Sequence, residues 1–322
     1  MPRVDYRKME KQNIAELHCR DYSAQVNLSR GANCISLRHR KYRARILREP
    51  DGSREVDNPY LYGMPILFPV NRSEGGEFEF EGRAYHFPVN EPETGCHLHG
   101  ELHKMEFALL EKSDNRLLCS YRADVKAPYL NFPHEFEIRM EYELREDGFH
   151  HRTEIKNNSA DNMPVFLGFH TTFQALFTRG SRKQDIRVLT EISEEYERNM
   201  ENYLPTGNKP EFDEVSNALK KGDFSPFACA ISRHYRSTKG GRMVIYDKKQ
   251  NLSVVYENDV KYNFRLIYNG NADEYICLEP QNCLANCPNA PFSREEAGFD
   301  YLAPGKSKTY TSEIYISEGD RR

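Results

Sequence analysis

The sequence predicts an all-β protein of two large, packed antiparallel sheets. Three observations lead there: apolar and polar residues alternate with period two along most of the chain, the alternating runs are separated by short turn-forming segments, and helical periodicity is scarce. The first clear hairpin is Phe78-Glu79-Phe80-Glu81, which turns at Gly82-Arg83 into Tyr85 and Phe87. The strongest strand is Phe136 to Leu144, where Phe136, Ile138, Met140, Tyr142 and Leu144 share one face and charged residues fill the other. Glu146-Asp147-Gly148 is its turn, and His151 to Asn157 reads as the return strand. Met243 to Tyr246 and Leu252 to Tyr256 flank Asp247 to Asn251 as another hairpin, and Tyr310 to Ile316 is a final strand after Pro304-Gly305. Residues 193–201 and 213–221 read as short polar helices in a long connection. With no internal repeat or linker, a single domain over 1–322 is expected.

Composition narrows the function classes. The 322 residues carry 45 basic and 49 acidic side chains, a net charge of −4, so bulk charge does not direct the chain to nucleic acid or an anionic membrane. The 38 aromatic rings (20 Tyr and 18 Phe, no Trp) argue for a packed core. Met1 to Lys11 is charged and lacks the apolar stretch of a secretory signal, and no run is long enough to span a bilayer, so a cytoplasmic location is expected. The eight cysteines are then read as free thiols. Cys283 and Cys287 are four apart without a second pair to complete a zinc site.

Four segments deliver ionisable residues out of apolar surroundings. Gly63 to Val70 is apolar and ends in Asn71-Arg72, an amide and a guanidinium. Gly95-Cys96-His97-Leu98-His99-Gly100, followed by His103, holds three histidines, and period two puts His97 and His99 on one strand face. Met163 to Phe173 brings His170 to the end of an apolar strand, where burial opposes its charging and suits proton exchange near neutrality. Tyr275-Ile276-Cys277-Leu278-Glu279-Pro280-Gln281 ends a strand in one carboxylate, held extended by the following proline. If half-buried, that carboxylate has a raised pKa and is a candidate base.

These segments, with others, resemble the aldose 1-epimerase (galactose mutarotase) family. The resemblance rests on Asn71-Arg72, the Gly-x-Phe-x-Phe-x-Gly-x-x-Tyr hairpin from Gly76 to Tyr85, Asn90-Glu91, Leu98-His99-Gly100, Phe132-Pro133, Gly168-Phe169-His170, Leu204-Pro205-Thr206-Gly207, Leu278-Glu279-Pro280 and Pro304-Gly305, in that order from about residue 30 to 318. It implies a large twisted antiparallel β-sandwich (a supersandwich) with a concave sugar-binding groove, and an isomerase that opens and recloses a sugar hemiacetal so that α and β anomers interconvert. That chemistry needs one base at the C1 hydroxyl and one acid at the ring oxygen, on opposite sides of the sugar, and no metal or cofactor. The resemblance assigns Glu279 as base, His170 as acid and His99 as a second histidine at the ring oxygen. Arg72, with Asn71 and Gln281, is expected to bind substrate, while His97 has no counterpart and is expected to be structural. Phe169 and Phe173 are read as core. The partner implied is a monosaccharide, with the protein a monomer or homodimer and no nucleic-acid or membrane partner.

One departure bears on substrate. The family's hydroxyl-gripping Asp has no equivalent in Ala230-Ile231-Ser232-Arg233-His234-Tyr235, and Arg233 and His234 there suit an anionic or phosphorylated sugar. Three other readings stay open at this stage. A non-catalytic carbohydrate-binding protein of the same fold has no need of the acid–base residues. A cupin-like metalloenzyme would use His97 and His99 with Glu101 or Glu106. A glycosidase requires a second carboxylate flanking the bond.

Overall fold

A computed structural model describes residues 13–50, 58–238 and 241–319, and the charged opening segment lies outside them. The alternating runs become strands because their apolar faces have two sheets to bury against. In the larger, eight-stranded sheet the order is 108–112, 116–123, 136–145, 148–157, 307–318, 252–258, 243–247 and 186–190, antiparallel throughout. Phe136–Arg145 and Gly148–Asn157 pair over ten residues, Phe136 against Asn157 through Arg145 against Gly148. The predicted hairpins at 77–86 and 243–258 are both present.

The second sheet carries the site. Its order is 192–196, 232–237, 264–268, 275–281, 168–169 and 66–67, with 172–174 also pairing against 275–281. A four-stranded sheet from 14–19 to 44–45 flanks them. The two large sheets share one core. Phe169 meets His151 edge-on at 4.8 Å, Phe173 lies 5.5 Å from Tyr256, and the Thr171 hydroxyl is 3.1 Å from that of Tyr256. Phe169, Thr171 and Phe173 therefore point into the sandwich, as do Ile276 and Leu278, all fully buried. Period two then turns His170, Cys277 and Glu279 to the opposite face.

The stretch read as a helix at 193–201 is instead the strand Ile192–Tyr196 and a following loop. Its acids find counter-charges across the sheet: Glu194 pairs with Arg236 at 3.2 Å and Glu195 with Arg233 at 3.3 Å. The second helix is real. Glu214–Lys221 is capped by Asp213, whose carboxylate accepts from the Ser216 N–H at 2.9 Å, and ends at Gly222 in the left-handed conformation. The eight cysteines are free thiols. No helix among the described residues is long and apolar enough to cross a membrane.

Candidate active site

Glu279 sits on Tyr275–Gln281, a strand buried along its whole length. The short strand Gly168–Phe169 pairs Gly168 with Gln281, and the next residue is His170. Gly168 is required there, because an added Cβ would lie 2.5 Å from Val70 Cγ2. The result places His170 Nε2 3.2 Å from Glu279 Oε1. The two are close without being aligned as a hydrogen bond, and both Glu279 Oε1 and His170 Nδ1 are buried without a hydrogen-bond partner. Glu279 is completely buried, deeper than the half-buried carboxylate expected.

Below the carboxylate runs a relay of amides. Gln281 Nε2 donates to Glu279 Oε2 at 3.2 Å, and Asn71 Nδ2 donates to Gln281 Oε1 at 3.1 Å. The backbone N–H of Asn71 donates to His99 Nδ1 at 3.2 Å, so neutral His99 keeps its proton on Nε2. Asn71 and His99 both have φ of 62°, and Gly100 follows in the same region. These left-handed residues break the strand register, so His97 and His99 do not share a face. His97 Nδ1 instead lies 2.7 Å from the Pro88 carbonyl and its ring stacks on Phe87 at 5.0 Å, a structural role. His103 is buried against Tyr60 at 4.6 Å. The His97–His99 ligand pair that a cupin-like site needs is therefore not formed.

The expected substrate contacts are redistributed. Gln281 is fully buried beneath Glu279 and does not line the groove, so it positions the carboxylate. Asn71 reaches the groove, but its side-chain amide serves Gln281 and the Arg72 N–H. Arg72 lines the groove with Nε and Nη2 held by Glu91 at 2.5 and 2.6 Å. Asn71→Gly, which keeps the left-handed backbone and removes the amide, is expected to lower turnover about tenfold with a smaller change in KM. Steady-state kinetics check this, and an unchanged kcat would show that the relay does not hold Glu279. Gly100→Ala would set a Cβ 1.8 Å from the Phe68 carbonyl oxygen at φ of 62°. A loss of roughly 2–4 kcal/mol is expected in denaturant unfolding.

Above this floor opens a groove of about 590 Å³, with Tyr60, Arg72, His99, His170, Arg198 and Glu279 on its walls. Its volume is that of a small-molecule site. A larger cleft of about 1040 Å³ lies elsewhere, with six exposed arginines on its walls; three of these, Arg20, Arg38 and Arg40, pair with Glu146, Glu49 and Asp21. It contains no pair comparable to Glu279 and His170.

Sequence reasoning missed Tyr60, Tyr203 and Arg198. Tyr60 packs tilted against His99 at 4.8 Å, and Tyr203 lies under the guanidinium of Arg72 at 4.5 Å and that of Arg198 at 5.7 Å. Cys277 was missed as well, although its place two residues before Glu279 on the same strand could have found it. Its Sγ is 3.3 Å from the Thr172 hydroxyl. His170, Cys277 and Glu279 offer donor atoms within 4.8 Å of one another, the one group among the described residues close enough to hold a metal ion.

Burial sets the electrostatics. It pushes the Glu279 carboxyl up to about 8, against the opposing pull of Gln281, Arg198 and Arg72. It also pulls the His170 imidazole down to about 4. His99 is driven well below its ordinary value by burial first and then by His170 and Arg72. At neutral pH the Glu279–His170 pair therefore carries one proton and no net charge. One proton on two adjacent groups gives one acid and one base, which is the minimum for a reaction that takes a proton from one oxygen and gives one to another.

A groove of small-molecule size on an antiparallel β-sandwich is thus floored by a buried carboxylate–imidazole pair. The chain belongs to the aldose 1-epimerase family, whose model matches residues 17–315. It is similar to a galactose mutarotase-like protein of Clostridium acetobutylicum, with 26% identity and a TM-score of 0.88 over 95% of this chain and 99% of that one. A putative aldose 1-epimerase of Escherichia coli K12 matches at 18% identity and TM-score 0.77, covering 96% and 100% of the two chains. A GalM/aldose epimerase homologue of C. elegans matches at 14% and 0.76, covering 96% and 100%. The last two likenesses are of fold alone.

Proposed function

We propose that this protein is an aldose 1-epimerase that interconverts the α and β anomers of a monosaccharide by acid–base ring opening and closure. The observation that carries the reading is the placement of Glu279 and His170 side by side, 3.2 Å apart, at the floor of the groove. The two groups are adjacent and do not face each other across the sugar. Adjacency suits the reaction, because the C1 hydroxyl and the ring oxygen are bonded to the same carbon.

The pair's one proton passes from Glu279 to His170, 3.2 Å away, and Glu279 then takes the C1 hydroxyl proton while His170 protonates the ring oxygen. The C1–O5 bond breaks and leaves an open-chain aldehyde. Rotation about C1–C2 presents the other carbonyl face, and the same two protons return on closure. His99 donates its Nε2–H toward the ring-oxygen side and stabilises negative charge there. Arg72, fixed by Glu91, orients ring hydroxyls, with Asn71 and Gln281 acting through Glu279 and His99.

The test is NMR magnetisation exchange between anomers, with and without protein, over a panel of aldoses. Catalysed exchange with at least one sugar is expected. If sugars bind and exchange is not accelerated, the protein is a carbohydrate-binding module and the reading fails.

A further inference from the structure

The sequence directed attention to Arg233 and His234 as determinants of an anionic substrate, and neither reaches the groove. Arg233 is bound to Asp213 at 2.7 Å and to Glu195, and His234 is fully buried 5.8 Å from Phe264. Arg198 is different. It is 93% buried and lines the groove, and no carboxylate among the described residues lies within ion-pair distance of its guanidinium. Nη2 donates to the Ser232 carbonyl at 2.6 Å and the Ser232 hydroxyl at 2.8 Å, while Nε and Nη1 have no acceptor among the described residues.

The carboxylates nearby do not neutralise it. Glu91 is occupied by Arg72 and by the Thr94 hydroxyl at 2.5 Å. Glu195 is occupied by Arg233 and by the Ser216 hydroxyl at 2.6 Å. Glu93 is exposed at the rim, where solvent screens it. Glu279 is held protonated at rest by burial. A buried guanidinium without a counter-charge is unfavourable unless a ligand supplies one, and its planar fork matches a carboxylate or phosphate.

Position agrees. Ser232, which anchors Arg198, is opposite Tyr268, and Tyr268 is opposite Cys277, beside Glu279 on the same face. The residue that anchors Arg198 thus stands about two strand spacings, roughly 10 Å, across the sheet from Cys277. That separation leaves C1 at Glu279 and the far end of the sugar at Arg198.

We propose that the groove selects a monosaccharide bearing an anionic substituent remote from C1, a sugar carboxylate or a sugar phosphate, with Arg198 as its counter-ion. The proposal rests on the anomerase reading for what happens at C1, but the charge preference is testable without turnover. The experiment compares a neutral hexose, the matching hexuronate and the matching hexose 6-phosphate by anomer exchange and, in parallel, by ligand-induced thermal stabilisation. One or both anions should be favoured over the neutral sugar by roughly 10- to 100-fold in kcat/KM and in apparent affinity. Whichever anion is favoured identifies the source of the charge. Arg198→Met should erase that preference, with kcat/KM for the anion falling at least tenfold more than kcat/KM for the neutral sugar, and Arg198→Lys should restore part of it.

Should Arg198→Met fail to fold, ionic strength applied to the unmodified protein makes the same distinction, by raising KM for the anion and not for the neutral sugar. Equal handling of all three sugars, or salt-independent anion binding, overturns the proposal. Preferential binding of an anion with no accelerated exchange overturns the anomerase reading and leaves the charge preference standing.

Discussion

Glu279→Gln should lower catalysed anomer exchange by about 10³-fold or more, with the fold intact. The amide has the shape of the carboxyl and can still accept from Gln281, so the relay through Asn71 and His99 is retained. It cannot accept the C1 hydroxyl proton. Stability should respond in the opposite direction to activity. Burial holds the folded carboxyl near 8, well above its ordinary 4.5, so the folded state binds the proton more tightly than the unfolded chain. The stability this contributes is complete below about pH 4.5 and is lost as pH rises through about 8. A neutral amide escapes that loss. The melting-temperature advantage of Glu279→Gln over the unmodified protein should therefore grow between those pH values and level off above them. Retention of full activity in a folded Glu279→Gln protein would remove Glu279 from the chemistry.

The second large effect is at His170. His170→Asn should slow exchange about 10²- to 10⁴-fold, because asparagine preserves a polar side chain of limited size without a transferable proton. KM should move less than kcat, since His170 acts on the ring oxygen as it develops charge. The pH profile separates this role from a merely structural one. In the unmodified pair the acidic limb arises when both groups are protonated and no base remains, and it belongs to the step that burial sets near 4 at His170. Residual activity in the variant should lose the bell and instead rise as pH rises through the Glu279 step, where the carboxylate becomes free to act as base.

Much of this was legible in the sequence. Phe136 to Leu144 announces its strand because each apolar residue contacts the core and each charged one meets solvent or a cross-strand partner. Glu279 and His170 stood out for the same reason: each is an ionisable residue at the end of an apolar run. What the sequence concealed depends on contacts distant in the chain. Residues 193–201 look helical until Arg233 and Arg236 supply counter-charges to Glu195 and Glu194 some 40 residues later. Arg198 was hidden inside that misread stretch. His97 and His99 were expected on one face because period two assumes an unbroken strand, and the left-handed backbone at His99 breaks it. Gln281 was expected to touch substrate because only the assembled sheet reveals that it lies beneath Glu279.

The central claim is that one proton shared by Glu279 and His170 drives anomer exchange. The most direct measurement is the enzyme-catalysed exchange rate of the unmodified protein as a function of pH, after subtraction of the uncatalysed rate. The account predicts a bell, falling below about pH 4 as His170 gains a proton and above about pH 8 as Glu279 loses one. A catalysed rate that stays level from about pH 5 to 10 would contradict it.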